Sequence, residues 1–282
     1  MLSVVIPAHD AARWIGDALA SVHAQPVHLP VEVVVVTDRC RDNTAAIARA
    51  AGARVIDSPA PGAAAARNAG VDASHGAFIA FLDADDLWPA DSLGDRLALL
   101  ESVPEAALVF GDCRQFDDDG HGMQRPHRQT LFESGGLDAG FFGHPQRVID
   151  PLTRLLDAGF ITTGSVIIRR EAFLALGGFD PTLALVEDLD LWLRAALRHT
   201  VLWHPALALL RRRHGANLSR DAHAMARAHI AVLERVARLP EASAHRARIT
   251  ALRGSALRGL ARQEAAAHPL QALGHLLQSF RS

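Results

Sequence analysis

The chain has 282 residues, 49% of them hydrophobic, and a formal net charge of -2. That length and apolar fraction support one large domain or two modest ones around a real core, and the charge leaves no basic field for nucleic acid. The only cysteines, Cys40 and Cys113, exclude a disulfide framework and any CxxC site, which fits a reducing cytoplasm. Met1 to Pro7 lacks the basic and long apolar regions of a secretory leader. No uncharged apolar stretch reaches membrane-spanning length, so a cytoplasmic protein is expected.

Ser3 to Ile6 is a β-branched apolar run, expected as a buried first strand stopped by Pro7. Asp10 is expected to cap a helix from Ala11 to Ala24, with Trp14, Ile15, Leu19 and Val22 on its inner stripe. Val31 to Val36 reads as a second buried strand that ends in the polar turn Thr37 to Thr44. A helix from Ala45 to Ala51 follows, and Gly52 closes it. Arg54 to Ile56 is a third strand, Pro61-Gly62 opens a helix through Arg67 to Gly70, and Ala77 to Leu82 is the fourth strand. Strands alternating with helices in this way predict an α/β fold with a mostly parallel, Rossmann-like central sheet flanked by helices. Ligands of such sheets sit outside the carboxyl ends of the strands, where Ala8, Asp38 and the pair Asp83/Asp85 all fall.

The most informative stretch is Phe78 to Asp86. A short apolar run ends there in three carboxylates, Asp83, Asp85 and Asp86, although close like charges are costly to desolvate. On a continuing strand Asp83 and Asp85 would share one face, an arrangement suited to a hard cation such as Mn²⁺ or Mg²⁺. The alternative is a solvated acidic turn. Asp86 is expected to cap the following helix, which Pro89 would start and which runs to about Glu101.

Ala106 to Phe110 is a further strand. Asp117 to Arg147 shows little periodicity and is expected as a long loop or a hairpin with a mobile lid. Pro151 to Ala158 is a short helix, Ser165 to Arg169 a strand, and a helix from Glu171 leads to the turn Gly177-Gly178-Phe179-Asp180. Glu187 to Arg198 is a helix with acids in its first turn, as the helix dipole favours. Val201 to Leu210 supplies one or two strands. From Ser219 onward the pattern is helical, with Ile230, Leu233, Val236 and Leu239 in a stripe and Val232 at its edge. A helical appendix packed on the main domain is expected; a homodimer interface or a peripheral membrane contact through these helices is the alternative.

These motifs resemble family 2 glycosyltransferases of the GT-A fold, over roughly Ser3 to Ser219. The matching pieces begin with Ser3-Val4-Val5-Ile6-Pro7-Ala8-His9-Asp10 and Glu32 to Thr44. Gly62 with Ala66-Arg67-Asn68-Ala69-Gly70 comes next, then Phe81-Leu82-Asp83-Ala84-Asp85-Asp86. Gly177 to Asp180 with Glu187 to Arg194 and Arg213-His214 with Asn217 and Ser219 complete the set. Each is weak alone; six in order are strong. Two departures stand out: Thr37 replaces the first acid of the usual Asp-Asp pair, and His9-Asp10 replaces the usual Tyr-Asn.

The resemblance implies a GT-A domain over 1–218, with a nucleotide-binding half over 1–110 and an acceptor-binding half over 111–218, then a helical extension over 219–282. It implies an inverting, metal-dependent glycosyltransferase with a UDP-linked sugar donor. Pro7, Ala8, Asp38, Arg67, Asp83 and Asp85 would line the nucleotide site, and Asp85 with His214 would hold the metal. Asp188 would be the general base. An ionised Asp38 would accept from uracil N3–H, and equally from thymine or guanine N1–H. For Arg67 and His214 the alternative is a surface side chain, and for Asp188 plain acid enrichment at a helix start. The acceptor is open: a glycan, a lipid carrier, a peptide or a small metabolite. Two rivals are a nucleotidylyltransferase, which needs a Gly-rich basic loop absent after the first strand, and a degenerate nucleotide-sugar-binding or scaffold protein.

Overall fold

Leu2, Val4 and Ile6 face one side of the first strand and Val5 the other, so β1 (Leu2–Ala8) is apolar on both faces and sits inside the sheet. The structure is a computed structural model that describes residues 1–118, 124–143, 146–214, 221–265 and 269–279. Among these residues eight strands form one sheet. β2 (Val31–Thr37), β3 (Arg54–Asp57) and β4 (Phe78–Phe81) run parallel with β1, in the order β3-β2-β1-β4. β7 (Ile167–Arg169) pairs antiparallel with both β4 and the long β5 (Ala106–Asp118). β6 (Gln124–Pro126) pairs antiparallel with β5, and β8 (Thr200–Arg213) runs parallel to β5 through several register shifts.

The sheet divides the apolar core in two. Val4, Ile6, Val35 and Ala80 pack under α1 (Ile15–His23), α2 (Thr44–Ala50) and α4 (Gly94–Ser102). Val5, Val34, Val36, Ile79 and Phe81 pack under α3 (Ala63–Asp72), α8 (Arg170–Ala175) and α9 (Glu187–Arg198). α5 (Leu131–Gly135), α6 (Ala139–Phe142) and α7 (Pro151–Asp157) join that second core through Phe132, Phe142 and Leu152. Gly70 lets α3 approach the sheet closely, since a Cβ there would lie 2.3 Å from Val5 Cγ1.

The C-terminal segment comprises α10 (Ala222–Ala237), α11 (Arg246–Glu264) and α12 (Pro269–Gln278). Val232, Leu233 and Val236 of α10 and Ile249 of α11 belong to the α9-side core, so these helices pack on the main body. Val232 is fully buried rather than at the edge of the stripe. Arg235 of α10 bonds Asp180 and lies 3.3 Å from Asp190 of α9. The expected boundary at 218/219, and Asn217 and Ser219, lie outside the described residues. Among the described residues no helix is long and apolar enough to cross a membrane.

Several local expectations are corrected. Pro7 lies within β1, opposite Val36. β4 pairs with β1 only as far as Val5–Phe81, so beyond that point one side of β1 needs no donor and proline is tolerated. Asp10 does not cap α1, which starts at Ile15; it takes φ 44° and accepts from the Arg41 amide at 2.7 Å. α4 begins at Gly94 rather than Pro89, because Asp91 at φ 59° breaks the backbone before it. The segment Asp117 to Arg147 carries β6, α5 and α6, and α5 opens on a capping box between Thr130 and Glu133.

Asp86 is likewise not a helix cap. It is buried after β4 and accepts from the Arg212 backbone amide of β8 at 2.8 Å, tying the two strands together. Burial, then the charges of Asp85 and Asp83, push its carboxyl well above the ordinary carboxylate range; the Arg212 amide opposes them. A carboxyl raised in this way holds its proton in the folded state. The associated stability is complete below the unfolded pKa, about 4, and is lost as pH rises through the folded one. Asp86→Asn keeps the acceptor and removes the charge. In EDTA, its melting temperature should match wild type near pH 4 and exceed it increasingly toward neutrality. Parallel melting curves across that range would contradict this placement of the charge.

Candidate active site

β1, β2 and β4 are neighbours, so their carboxyl ends open on one crevice. Ala8 closes β1, and its carbonyl accepts from the Asp38 amide at 2.8 Å. Pro7 precedes it in the strand, opposite Val36. Asp38 follows β2 and is buried. Its Oδ1 accepts from Arg39 Nε and its Oδ2 from the Gly62 amide, both at 2.8 Å. Burial works to raise the Asp38 pKa, but these bonds and the Arg39 and His9 charges hold it below the ordinary value, so it is an ionised acceptor. His9 Nδ1 lies 2.5 Å from the Asp38 carbonyl. Thr37, where a second acid was expected, donates to Asp57 Oδ1 of β3 at 2.7 Å. The neighbouring strand therefore supplies a carboxylate at that strand end.

The acidic stretch lies beyond β4 in a turn, closed by the Asp86 amide on the Asp83 carbonyl at 3.0 Å. Strand alternation therefore does not set the directions of Asp83 and Asp85, contrary to the expectation above. Asp83 Oδ1 accepts from Arg67 Nη2 at 2.7 Å, and Glu187 Oε1 accepts from Arg67 Nη1 at the same distance. Arg67, on α3, is only 4% exposed, and its guanidinium lies over Phe179 with 5.4 Å to the ring centroid. Burial alone would depress its pKa; the two carboxylates more than reverse that and keep it charged. Next to it, Asn68 exchanges two hydrogen bonds with the Phe179 backbone, at 2.8 and 3.0 Å. Arg67 is thus a buried bridge and not a surface side chain.

Glu187 and Asp188 open α9 directly after Val186, which takes φ 54°. A β-branched residue rarely adopts that left-handed conformation, so the packing around it must hold it there. Glu187 does more than start a helix, since it anchors Arg67. Burial first and Asp188 later raise its pKa, against the Arg67 charge. Asp188 is half-buried; Oδ1 accepts from the Leu189 amide at 2.8 Å and Oδ2 from the Thr163 hydroxyl at 3.2 Å.

Asp85 faces the other way, toward β8. Its Oδ2 lies 2.8 Å from His214 Nε2, and the His214 ring stacks on Trp14 at 4.3 Å between centroids. The Asp85 carbonyl accepts from Arg212 Nε at 2.7 Å. Burial and the Asp83 charge push the Asp85 carboxyl up, with His214 partly offsetting them. An acidic turn of this kind, with hard oxygen donors and an imidazole in contact, fits a divalent cation of the Mn²⁺ or Mg²⁺ type. A second group, Asp10, Cys40 and Asp42, brings three ligand atoms within 4.8 Å. Both Asp42 oxygens there already accept bonds from Ala12 and Thr44, which brace the loop.

Thr162, which precedes Thr163 in the chain, lines a cleft of about 410 Å³ walled by β5, the segment around α5, and Arg211 of β8. One wall is Cys113, whose thiol burial and Asp86 push up to about 12, so it stands there as a neutral group. The structure brings the predicted Pro7, Ala8, Asp38, Arg67, Asp83, Asp85 and His214 to one rim of the sheet, and Arg67 links Asp188 to them through Glu187. Sequence reasoning missed Glu187, Asp57 and Trp14 as contributors, whereas the region around Thr162-Thr163-Gly164 was expected on the acceptor side. Trp14 was assigned to the inner stripe of α1 instead.

The sequence profile described as "Glycosyl transferase family 2" matches residues 3–177. Similar proteins include an uncharacterised glycosyltransferase of Rickettsia typhi, 23% identical, the alignment covering 79% of this chain and 67% of the relative. The amylovoran biosynthesis glycosyltransferase AmsB of Erwinia amylovora is 26% identical, over 68% of this chain and 63% of its own. The succinoglycan biosynthesis protein ExoU of Rhizobium meliloti is 31% identical, over 68% and 56%. The chain therefore spans about two thirds of the first of these and less of the others. Among solved structures, S. aureus TarS residues 1–349 align with a TM-score of 0.69 at 18% identity, over 99% of this chain and 80% of TarS. The mannosyltransferase PcManGT of Pyrobaculum calidifontis, solved with GDP-Man and Mn²⁺, aligns at 0.63 with 18% identity, over 98% and 78%. At these identities the structural likeness speaks for a shared fold, and the profile match over more than half of its length shows that this chain belongs to glycosyl transferase family 2.

Proposed function

We propose that this protein transfers a sugar, with inversion, from a UDP-linked donor to an acceptor hydroxyl, and that it depends on Mn²⁺ or Mg²⁺. The observation that carries the reading is the Arg67 bridge, which ties the acidic turn after β4 to the first turn of α9. Donor-side and acceptor-side acids then stand on opposite ends of one buried cation. Structures of TarS with UDP-GlcNAc and with UDP, and of PcManGT with GDP-Man and Mn²⁺, support the donor class by likeness. UDP is preferred because Asp38 is an ionised acceptor at a strand end, suited to an imide N–H.

In this reading Asp38 receives the base, and Pro7 and Ala8 form the floor beneath the nucleoside. Asp83, held by Arg67, faces the ribose side, while Asp85 and His214 hold the metal. A bound divalent cation supplies neutralisation of the diphosphate as it leaves. Asp188 takes the proton of the acceptor hydroxyl. The acceptor oxygen then forms its bond to the anomeric carbon from the face opposite the diphosphate, and the electron pair of the breaking C–O bond leaves with the diphosphate. Glu187 is committed to Arg67, and Cys113 is neutral, so neither supports a covalent intermediate. Thr163, through Asp188 Oδ2, orients the base.

Two measurements test this. Calorimetric titration with UDP should show a gain in affinity on adding Mn²⁺, and Asp85→Asn should abolish that gain while leaving the melting transition intact. Equal UDP affinity with and without Mn²⁺ would count against the metal assignment. For the base, Asp188→Asn should lower turnover roughly 10²–10⁴-fold, the usual worth of general-base catalysis, while UDP and metal still bind. Transfer at the wild-type rate would remove Asp188 from the mechanism. A wild-type protein that binds donors but never hydrolyses or transfers them would favour the scaffold reading.

A further inference from the structure

The side chain of Trp14 has one polar atom, the indole Nε1, and it is buried without a hydrogen-bond partner among the described residues. Trp14 itself is half-buried and stands just before α1, in the loop that leaves β1 at Ala8. That loop is braced from outside. The Ala11 amide donates to Thr44 Oγ1 at 2.8 Å and the Ala12 amide to Asp42 Oδ2 at 2.9 Å. The Trp14 amide donates to the Ala11 carbonyl at 2.9 Å, and its carbonyl accepts from the Ala18 amide at 3.1 Å. A buried N–H without an acceptor is costly, and phenylalanine would fill much of the same space without one. What the position uses is therefore the large indole face.

The His214 imidazole lies on that face, with 4.3 Å between ring centroids and 21° between the planes. The Arg13 guanidinium is farther from the ring, 5.7 Å from its centroid, and donates to Asp118 Oδ1. His214 Nε2 lies 2.8 Å from Asp85 Oδ2. A nitrogen of an imidazole offers its lone pair in the plane of the ring. Turning the ring out of that plane takes the lone pair away from a cation beside it. An imidazole lying flat on an indole cannot turn in this way without giving up the stack. Coordination also draws electron density from the imidazole and leaves it partly positive, and indole is the best of the aromatic faces for a cation.

We propose that Trp14 is a positioning residue for the divalent-cation site. It acts through His214, holding the imidazole in the plane in which Nε2 faces the Asp85 carboxylate. The loop after β1 thereby supplies a support for the end of β8, from which His214 follows directly. The inference rests on the reading of Asp85 and His214 as the pair that holds the metal.

The test is the affinity of the full chain for Mn²⁺, read from the free-ion signal in electron paramagnetic resonance with saturating UDP present. Trp14→Leu keeps an apolar side chain without a ring and should weaken Mn²⁺ binding about three- to tenfold. Trp14→Phe keeps a ring and should retain most of the wild-type affinity. His214→Ala should weaken binding at least as much as Trp14→Leu, and in that background Trp14→Leu should produce no further loss. A second measurement needs no Trp14 variant. In histidine-labelled wild type, the His214 ring protons, assigned by their loss in His214→Ala, should resonate upfield of an unstacked histidine, both without metal and with Mg²⁺. Wild-type Mn²⁺ affinity in Trp14→Leu, full additivity with His214→Ala, or His214 protons without the upfield shift would overturn the proposal. A wild type without affinity for Mn²⁺, or His214→Ala that binds it as the wild type does, would overturn the metal assignment and the proposal with it.

Discussion

Arg67 is a buried cation held between two carboxylates that are far apart in sequence, and the candidate site depends on that bridge. A guanidinium in the protein interior is tolerable only when it is paired with good geometry. Asp83 and Glu187 provide that pairing, each at 2.7 Å. In return, the acidic turn after β4 and the strained start of α9 acquire fixed positions. Asn68 reinforces the arrangement one residue further on by gripping the Phe179 backbone. Gly70, one turn later, sets how closely α3 can approach β1 and so where Arg67 stands. One helix thus carries, in Arg67, Asn68 and Gly70, three residues that set the site's geometry.

The parts of the fold set by local apolar runs were legible in the sequence. The parallel strands β3-β2-β1-β4 and helix α9 lie where hydrophobic pattern and helix-start signals put them, because burial on both faces leaves little freedom of register. Convergence of Ala8, Asp38 and the acidic turn followed from the same logic. What was not legible depends on tertiary partners. Nothing local announces that Arg67 meets Glu187, or that Thr37 is matched by Asp57 from the next strand. Asp86 looked like a cap because an acid preceding Pro89 is a common helix start. In the fold it answers a backbone amide of β8, a contact across more than a hundred residues. Thr130 to Glu133 did carry a readable capping box, hidden by the polar composition around it.

Charge compensation runs through the whole rim of the sheet. At the carboxyl ends of β1, β2 and β4, acids and cations are matched: Asp38 with Arg39 and the Gly62 amide, Asp83 and Glu187 with Arg67, Asp85 with His214. Burial first, and then repulsion among the acids of the turn, still hold Asp85 and Asp86 above their ordinary pKa range.

The most direct measurement of the account is a double-mutant cycle on Arg67 and Glu187, read by equilibrium unfolding. Arg67→Met leaves two acids without their cation, and breaking a buried pair in this way costs up to about 3–5 kcal/mol, less where water reaches the carboxylate. If the bridge fixes α9 to the acidic turn, adding Glu187→Gln to Arg67→Met should restore part of that loss. The coupling should lie in the range of about 0.5–3 kcal/mol found for contacting residues. Strictly additive effects of the two substitutions would contradict it and leave Arg67 as a side chain that merely lies near both acids.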